Sequence, residues 1–280
     1  MSAVAAGTDD LGGRADSVTV VRPRRKPLAE RRLTGIVAPL VAVAVVLGAW
    51  QITSLFFNPV LISSPSQVAS AFVGQFRAGT ATSALGVSLR DLYVGLAIGL
   101  TAGVLVGLCI GRYRFLDAFF SPFINAANAT PLNVLIPLLI VWVGISTEAR
   151  VLFVVLISFF PVALNTAGGL RNVGKGYVEV GRMMGLGEHQ LMRKVILPAA
   201  APYIFAGIRV GVALGVIGMI VGEMEVSNVG LGYLLNFYGN GFETSKLLAL
   251  VVLAALIGVA NVLVVRAVQA RWFRWISAAR

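Results

Sequence analysis

The stretch Leu92-Tyr-Val-Gly95-Leu-Ala-Ile-Gly99-Leu-Thr-Ala-Gly103-Val-Leu-Val-Gly107-Leu-Cys-Ile-Gly111 carries no charged residue and places a glycine at every fourth position. An α-helix rises 1.5 Å per residue, so about twenty apolar residues match the ~30 Å of hydrocarbon in a bilayer. The stretch therefore predicts a membrane-spanning helix. Residues four apart share a slowly winding ridge, and a ridge without side chains is a groove that a second helix can enter closely. Gly95, Gly99, Gly103, Gly107 and Gly111 are assigned to helix packing on this ground, and Gly207, Gly211 and Gly215 repeat the device.

Five further stretches read the same way: Leu33 to Gln75, Ala118 to Thr147, Val151 to Leu170, Val210 to Gly222 extended back to about Ala199 across Arg209, and Leu247 to Val265. Six spans are expected. The 280 residues are 58% hydrophobic and only 12% charged, about half the charge of a soluble domain, which excludes a water-soluble enzyme. The single cysteine, Cys109, excludes an intrachain disulfide and a cysteine metal cluster. Pro122, Pro131 and Pro137 crowd the third span, each removing a helix donor, so that span is expected to be bent or interrupted.

A net charge of +11 first suggests nucleic acid, but the cations lie between the apolar stretches rather than on one patch. If the N-terminus is cytoplasmic, eighteen of the 23 Lys and Arg residues fall in inside segments, five of them between Arg171 and Pro198. The outside segments hold Arg77, Arg90, Arg150 and Lys246 beside Asp91, Glu148, Glu223, Glu225 and Glu243. The positive-inside rule then puts both termini in the cytoplasm and leaves no reason to invoke nucleic acid. Residues 1–35 form a polar N-terminal tail expected to be flexible, 36–270 the six-span domain, and 271–280 a C-terminal tail. The apolar run after Gly35 is too long for the core of a cleaved signal peptide and reads as a signal anchor.

The loop from Arg171 to Pro198 is long for a connection. Tyr177, Val180 and Met184 share one helical face, Gly185-Leu186-Gly187 breaks the helix, and a second amphipathic segment follows from Glu188. Leu191, Met192, Val195 and Ile196 oppose His189, Gln190, Arg193 and Lys194, and Pro198 is expected to end the segment. Two short amphipathic helices at a glycine elbow suit the groove of another protein.

The spacing is also that of a known loop. Glu179-Val180-Gly181, three residues, Gly185, nine residues and Val195-Ile196-Leu197-Pro198 resembles the EAA loop of the permease subunits of bacterial ABC importers, with Val180 and Gly181 in place of two alanines and Val195 in place of isoleucine. Ser64-Pro65-Ser66 with Val68, Ser88-Leu89-Arg90, Pro137-Leu138 with Trp142 and Gly144, and Glu223-Met224 leading to Gly230-Leu231-Gly232-Tyr233 look like the nitrate, sulfonate, taurine and bicarbonate group of these importers. Asn133 and Gly174 depart from that group's pattern, which has a small apolar and an acidic residue there.

The resemblance implies an all-α integral membrane protein with the six-helix, type I (MetI-like) permease fold, in the bacterial cytoplasmic (inner) membrane. It implies two ABC ATPase subunits, an external substrate-binding protein and a second permease subunit, a copy of this chain, all embedded in membrane lipid. ATP and magnesium would be used by the ATPases, with no cofactor or metal in this chain. Glu179, Gly181, Arg182, Gly185, Leu186, Gly187, His189, Leu197 and Pro198 would couple to the ATPase. Asn128, Asn133, Ser158, Asn165 and Glu223 are candidates for the pathway or gate, and Arg209 for a structural role. The solute would be a small oxyanion such as a sulfonate, taurine, nitrate or bicarbonate; similar permeases serve thiamine precursors and aromatic acids.

Three rival readings are weaker. Gly169 to Lys175 imitates a P-loop, but Gly176 follows where a magnesium-binding Ser or Thr is required. His189 is the only histidine, which rules out a His-Glu-x-x-His zinc site and leaves no pair for intramembrane catalysis. Within the spans only Arg209 is ionisable, too little for the ion coupling of a secondary transporter or channel.

Overall fold

The computed structural model describes residues 28–58 and 60–272. The expected tails lie outside the described residues over 1–27 and 273–280. Two compact units divide at Ala49 and Trp50. Helix α1 (Leu28–Ser54) begins inside the segment expected to be tail, and its apolar portion Val37–Ser54 is long enough to cross a bilayer.

The second unit is a bundle of helices. They are α2 (Pro65–Arg77), α3 (Thr80–Arg112), α4 (Arg114–Ala129), α5 (Ile136–Val143), α6 (Thr147–Arg171), α7 (Lys175–Met183), α8 (Glu188–Leu191), α9 (Leu197–Val226), α10 (Leu231–Asn240) and α11 (Thr244–Trp272). The run Leu33 to Gln75 is therefore two helices, not one span. Ser64 caps α2 by accepting from the Gln67 N–H while the Gln67 side chain accepts from the Ser64 N–H, with Pro65 at the first helical position.

The centre of the bundle is α3 against α6. A Cβ at Gly95 would lie 2.6 Å from Val154 Cβ, at Gly103 2.9 Å from the Phe159 carbonyl, at Gly107 2.6 Å from the Ala163 carbonyl and at Gly111 2.9 Å from Leu170 Cβ, while at Gly99 it would collide with Ser158 Oγ. The glycine ridge of α3 thus lies directly on the backbone of α6. Its register is constant, because residues on α3 meet residues 59 further along the chain, from Asp91 with Arg150 to Gly111 with Leu170. Both indices rise together, so α3 and α6 run parallel.

A parallel pair dictates what joins it. The chain leaves α3 at one end and must enter α6 at the other, so residues 113–146 have to travel back about 30 Å, the rise of the twenty residues from Asp91 to Gly111. They do so as a broken span, with α4 and the segment Leu132–Val143 bent by 92°. Pro131 makes the break: the residue before a proline is pushed out of the α region, and Thr130 is extended at φ −79°, ψ 133°. Five continuous helices and this broken one supply the six apolar spans.

Helix α9 returns antiparallel on α6, with a Cβ at Gly207 lying 2.7 Å from Asn165 Cβ and at Gly218 2.6 Å from Ile157 Cγ2. It is longer than expected, because Pro198 does not end the preceding segment. Glu188–Val226 is one continuous run in which a π turn over Met192–Ile196 joins α8 to α9. The Leu197 N–H bonds the Met192 carbonyl five residues back. The wider turn and the position of Pro198 at the start of α9 accommodate the donor that proline lacks.

Two helices end in the same hydrogen-bonded turn with different residues. At the end of α7 the Leu186 N–H reaches the Gly181 carbonyl at 3.1 Å and the Gly185 N–H that of Arg182 at 2.9 Å, with Gly185 left-handed at φ +77°. At the end of α10 the Glu243 N–H reaches the Tyr238 carbonyl at 2.9 Å and the Phe242 N–H that of Gly239 at 3.2 Å, with Phe242 left-handed at φ 54°. A side chain in that conformation costs about 1 to 2 kcal/mol.

The α3–α6 contact has a direct test. Gly107→Ala drives a methyl into the Ala163 carbonyl and should destabilise the fold by about 1 to 3 kcal/mol. Gly86→Ala on the same helix meets nothing within 4 Å and should be neutral or stabilising by about 0.5 to 1 kcal/mol. Thermal denaturation of the two detergent-solubilised variants beside the wild type checks the difference in sign.

Candidate functional site

The loop predicted from its spacing folds as an elbow. Helix α7 stops at the Gly185 turn, and α8 starts after Gly187 and packs back on α7 through Leu191, whose Cδ1 is 2.7 Å from where a Gly181 Cβ would stand. Gly181 is needed for closeness and Gly185 for conformation, since a Cβ at Gly185 meets nothing within 4 Å. Beside the elbow opens an apolar groove of about 580 Å³ lined by Tyr177, Val180, Gly181, Met184, Leu186 and Val195. Tyr177, Val180, Met183 and Met184 are exposed on α7 and its turn. Glu179, Arg182, Gly187 and His189 are also exposed, while Leu197 and Pro198 are half-buried at the start of α9.

Charges tie the elbow to the bundle. Glu188 accepts from Arg112 Nη2 at the end of α3 at 2.7 Å and from Arg182 Nη2 on α7 at 3.1 Å. Asp117 on α4 pairs with Arg171 at the end of α6. These pairs are solvent-exposed, which limits each to about 0 to 1 kcal/mol. Arg209 donates to Gln269 of α11 and so joins α9 to α11 at the same end.

The opposite end of the bundle holds a buried polar cluster. Arg150 Nε donates to Asp91 Oδ2 at 2.8 Å and its Nη2 to Thr147 Oγ1 at 3.1 Å, with both partners of the ion pair less than a tenth exposed. Glu223 is fully buried. Its Oε2 accepts from Ser88 Oγ at 2.8 Å and from the Gly232 N–H at 2.8 Å, while Ser88 Oγ accepts from the Leu231 N–H at 2.9 Å. The Glu223 carboxyl group from α9 therefore meets one N–H in the first turn of α10, where a helix presents unsatisfied donors, and Ser88 takes the other. The turn is moulded to it, because a Cβ at Gly230 would lie 2.5 Å from the Glu223 carboxyl.

The candidates for a pathway fall into two sets. Asn128, in the last turn of α4, and Asn133, just past the break, are exposed on the broken span. Ser158 and Asn165 turn their polar atoms onto their own helix, Ser158 Oγ to the Val154 carbonyl at 2.7 Å and Asn165 Nδ2 to the Pro161 carbonyl at 2.7 Å. Glu223 is engaged in the cluster at the far end. Sequence reasoning placed Asp91 and Arg150 in outside segments and missed that they pair inside the bundle. A signal was present: Asp91 stands four residues before Gly95, so it continues the glycine ridge. Among the described residues no group of three or more His, Cys, Asp or Glu is placed to hold a metal.

Residues 99–277 match the family described as the binding-protein-dependent transport system inner membrane component. The chain belongs to this family. It is an ABC importer permease, with ATP hydrolysis carried by separate subunits, and not an enzyme. The permease is 28% identical over 254 residues to the putative aliphatic sulfonates transport permease protein SsuC of Bacillus subtilis, covering 90% of this chain and 91% of that one. It is 31% identical over 241 residues to the protein of the same description from Escherichia coli K12, covering 85% and 92%. A crystal structure of an amino acid ABC transporter with histidines shares the fold, with a TM-score of 0.55 at 20% identity over 72% of this permease and 97% of that chain.

Removing one partner of a buried ion pair strands the other, at about 3 to 5 kcal/mol, whereas replacing both with apolar residues can be nearly neutral. Asp91→Ala should therefore lower the stability of the permease by that amount. Asp91→Leu combined with Arg150→Met should recover most of it, as read by thermal denaturation in detergent.

Proposed function

We propose that this permease imports a small oxyanion of the sulfonate type, delivered by an external binding protein and driven by two ATPase subunits that dock on the α7–α8 elbow. The elbow carries the proposal. A nine-residue amphipathic helix ending in a glycine turn, with Tyr177, Val180, Met183 and Met184 exposed beside an apolar groove, offers a surface for a protein partner. Glu179, Arg182 and His189 are exposed on the same elbow and would meet polar groups of the ATPase.

The elbow end also gathers Arg112, Arg114, Arg171, Lys175, Arg182, Arg193, Lys194, Arg266 and Arg271, a bias that supports, by the positive-inside rule, a cytoplasmic elbow and cytoplasmic termini as part of this reading. The Asp91–Arg150 and Glu223 cluster then lies toward the outer face. A second copy of the chain completes the pathway, and the exposed Asn128 and Asn133 line it, since their side chains remain free to meet solute. The two sulfonate relatives support the solute class. Closure of the ATPases would move the elbow, and α9, continuous with it through the π turn, would carry that motion to the outer end and open the two sides alternately.

The coupling role separates uptake from hydrolysis. Gly185→Val forces a β-branched residue into the left-handed turn and should reduce solute uptake by reconstituted complex about tenfold or more while ATP hydrolysis continues. Gly185→Asn, which tolerates that conformation, should retain uptake; equal transport by Gly185→Val and wild type would refute the assignment. A tag placed between Asn172 and Gly187 should be reached only by cytoplasmic reagents, and labelling from outside the cell would reverse the topology.

A further inference from the structure

The turn that ends α10 contains an unexplained residue. The same hydrogen-bonded turn ends α7 with glycine at the left-handed position, and α2 is likewise followed by a left-handed glycine, Gly79. At the end of α10 the left-handed residue is Phe242, the only non-glycine residue with positive φ among those described. A bulky residue there is strained, and burial of the ring does not compensate, because Phe242 is 69% exposed. Glycines precede it at Gly239 and Gly241, yet the left-handed place holds an aromatic ring.

The surroundings say what the ring faces. Phe242 forms one wall of a cavity of about 480 Å³ whose other walls include Gln67 and Ser70 of α2 and Glu243, Ser245 and Lys246 at the start of α11. Glu243 and Lys246 pair with each other and are both partly exposed. These two charges lie in sequence between Phe242 and the apolar stretch that begins at Leu247, and the hollow beside the ring is of mixed polarity. A rigid aromatic residue beside a polar hollow has the composition of an interface anchor, the kind of residue that dominates protein–protein binding.

We infer that Phe242 is an anchor for the external binding protein on which this family depends, docking over the hollow between α2 and the start of α11. The inference rests on the orientation proposed above, which puts this end outside. The strain in the turn is retained because the ring is used by the partner and not by the fold.

The experiment uses the reconstituted complex of permease and ATPases with the binding protein that co-purifies with it. The readout is the concentration of binding protein that half-saturates stimulated ATP hydrolysis. Phe242→Gly removes the ring and relaxes the turn, so its Tm should equal or exceed that of the wild type while the half-saturating concentration rises at least about tenfold. Phe242→Tyr keeps the ring and should stay near wild type. An unchanged half-saturating concentration in Phe242→Gly, or a lowered Tm that shows the ring to be structural, would overturn the docking assignment alone. So would a Phe242→Trp complex in nanodiscs whose fluorescence is quenched by brominated lipid and unmoved by binding protein, which would mark a lipid contact. A wild-type complex indifferent to binding protein would overturn the importer reading as well.

Discussion

The contact between the glycine ridge of α3 and the backbone of α6 leaves no room for a side chain at five successive positions, and the rest of the bundle follows from it. Within a membrane, helices gain little from hydrophobic exclusion, so close van der Waals packing and a few interhelical hydrogen bonds must hold them. The ridge supplies the first by letting backbones meet. It also fixes direction and register together: α3 and α6 run parallel, in step from Asp91 with Arg150 to Gly111 with Leu170. The broken span α4–α5 exists because that parallel pair needs a return path.

The two ends of the bundle use polar groups in opposite ways. At the end opposite the elbow Asp91, Arg150, Ser88 and Glu223 are buried, and each bond made there avoids the cost of a stranded polar group. Such a cluster is rigid because breaking any part is expensive. At the elbow the charges of Glu188, Arg112, Arg182, Asp117 and Arg171 are partly or largely exposed and individually weak. The docking role proposed for the elbow is better served by contacts of this second kind, which can be exchanged at little cost.

Much of this was legible in the sequence. The charge-free stretches gave the spans, the proline cluster gave the broken one, and Gly185 between two amphipathic segments gave the elbow. What escaped was tertiary. Treating every charge as a loop marker put Asp91 and Arg150 in water, when each satisfies the other inside the bundle. Helix α2 was swallowed by the apolar run before it, although Ser64-Pro65-Ser66-Gln67 spells a helix start. Pro198 looked like a terminator because the rule assumes four-residue hydrogen bonding, and the π turn steps around that assumption. Phe242 gave no local signal at all, since only the backbone geometry shows that a glycine's place has been taken.

The π turn at Met192–Ile196 also changes how the elbow and the core are phased. Leu191 and Val195, four apart, face α7, and an unbroken α-helix would continue that stripe to residue 199. The buried stripe of α9 instead runs through Ala200, Ile204 and Gly207, one residue later. One extra residue in a helix corresponds to about 100° of rotation, so the turn works as a fixed angular offset between two gears on one shaft. The face turned toward the elbow and the face zipped into the membrane core can each be optimised without twisting the other out of place.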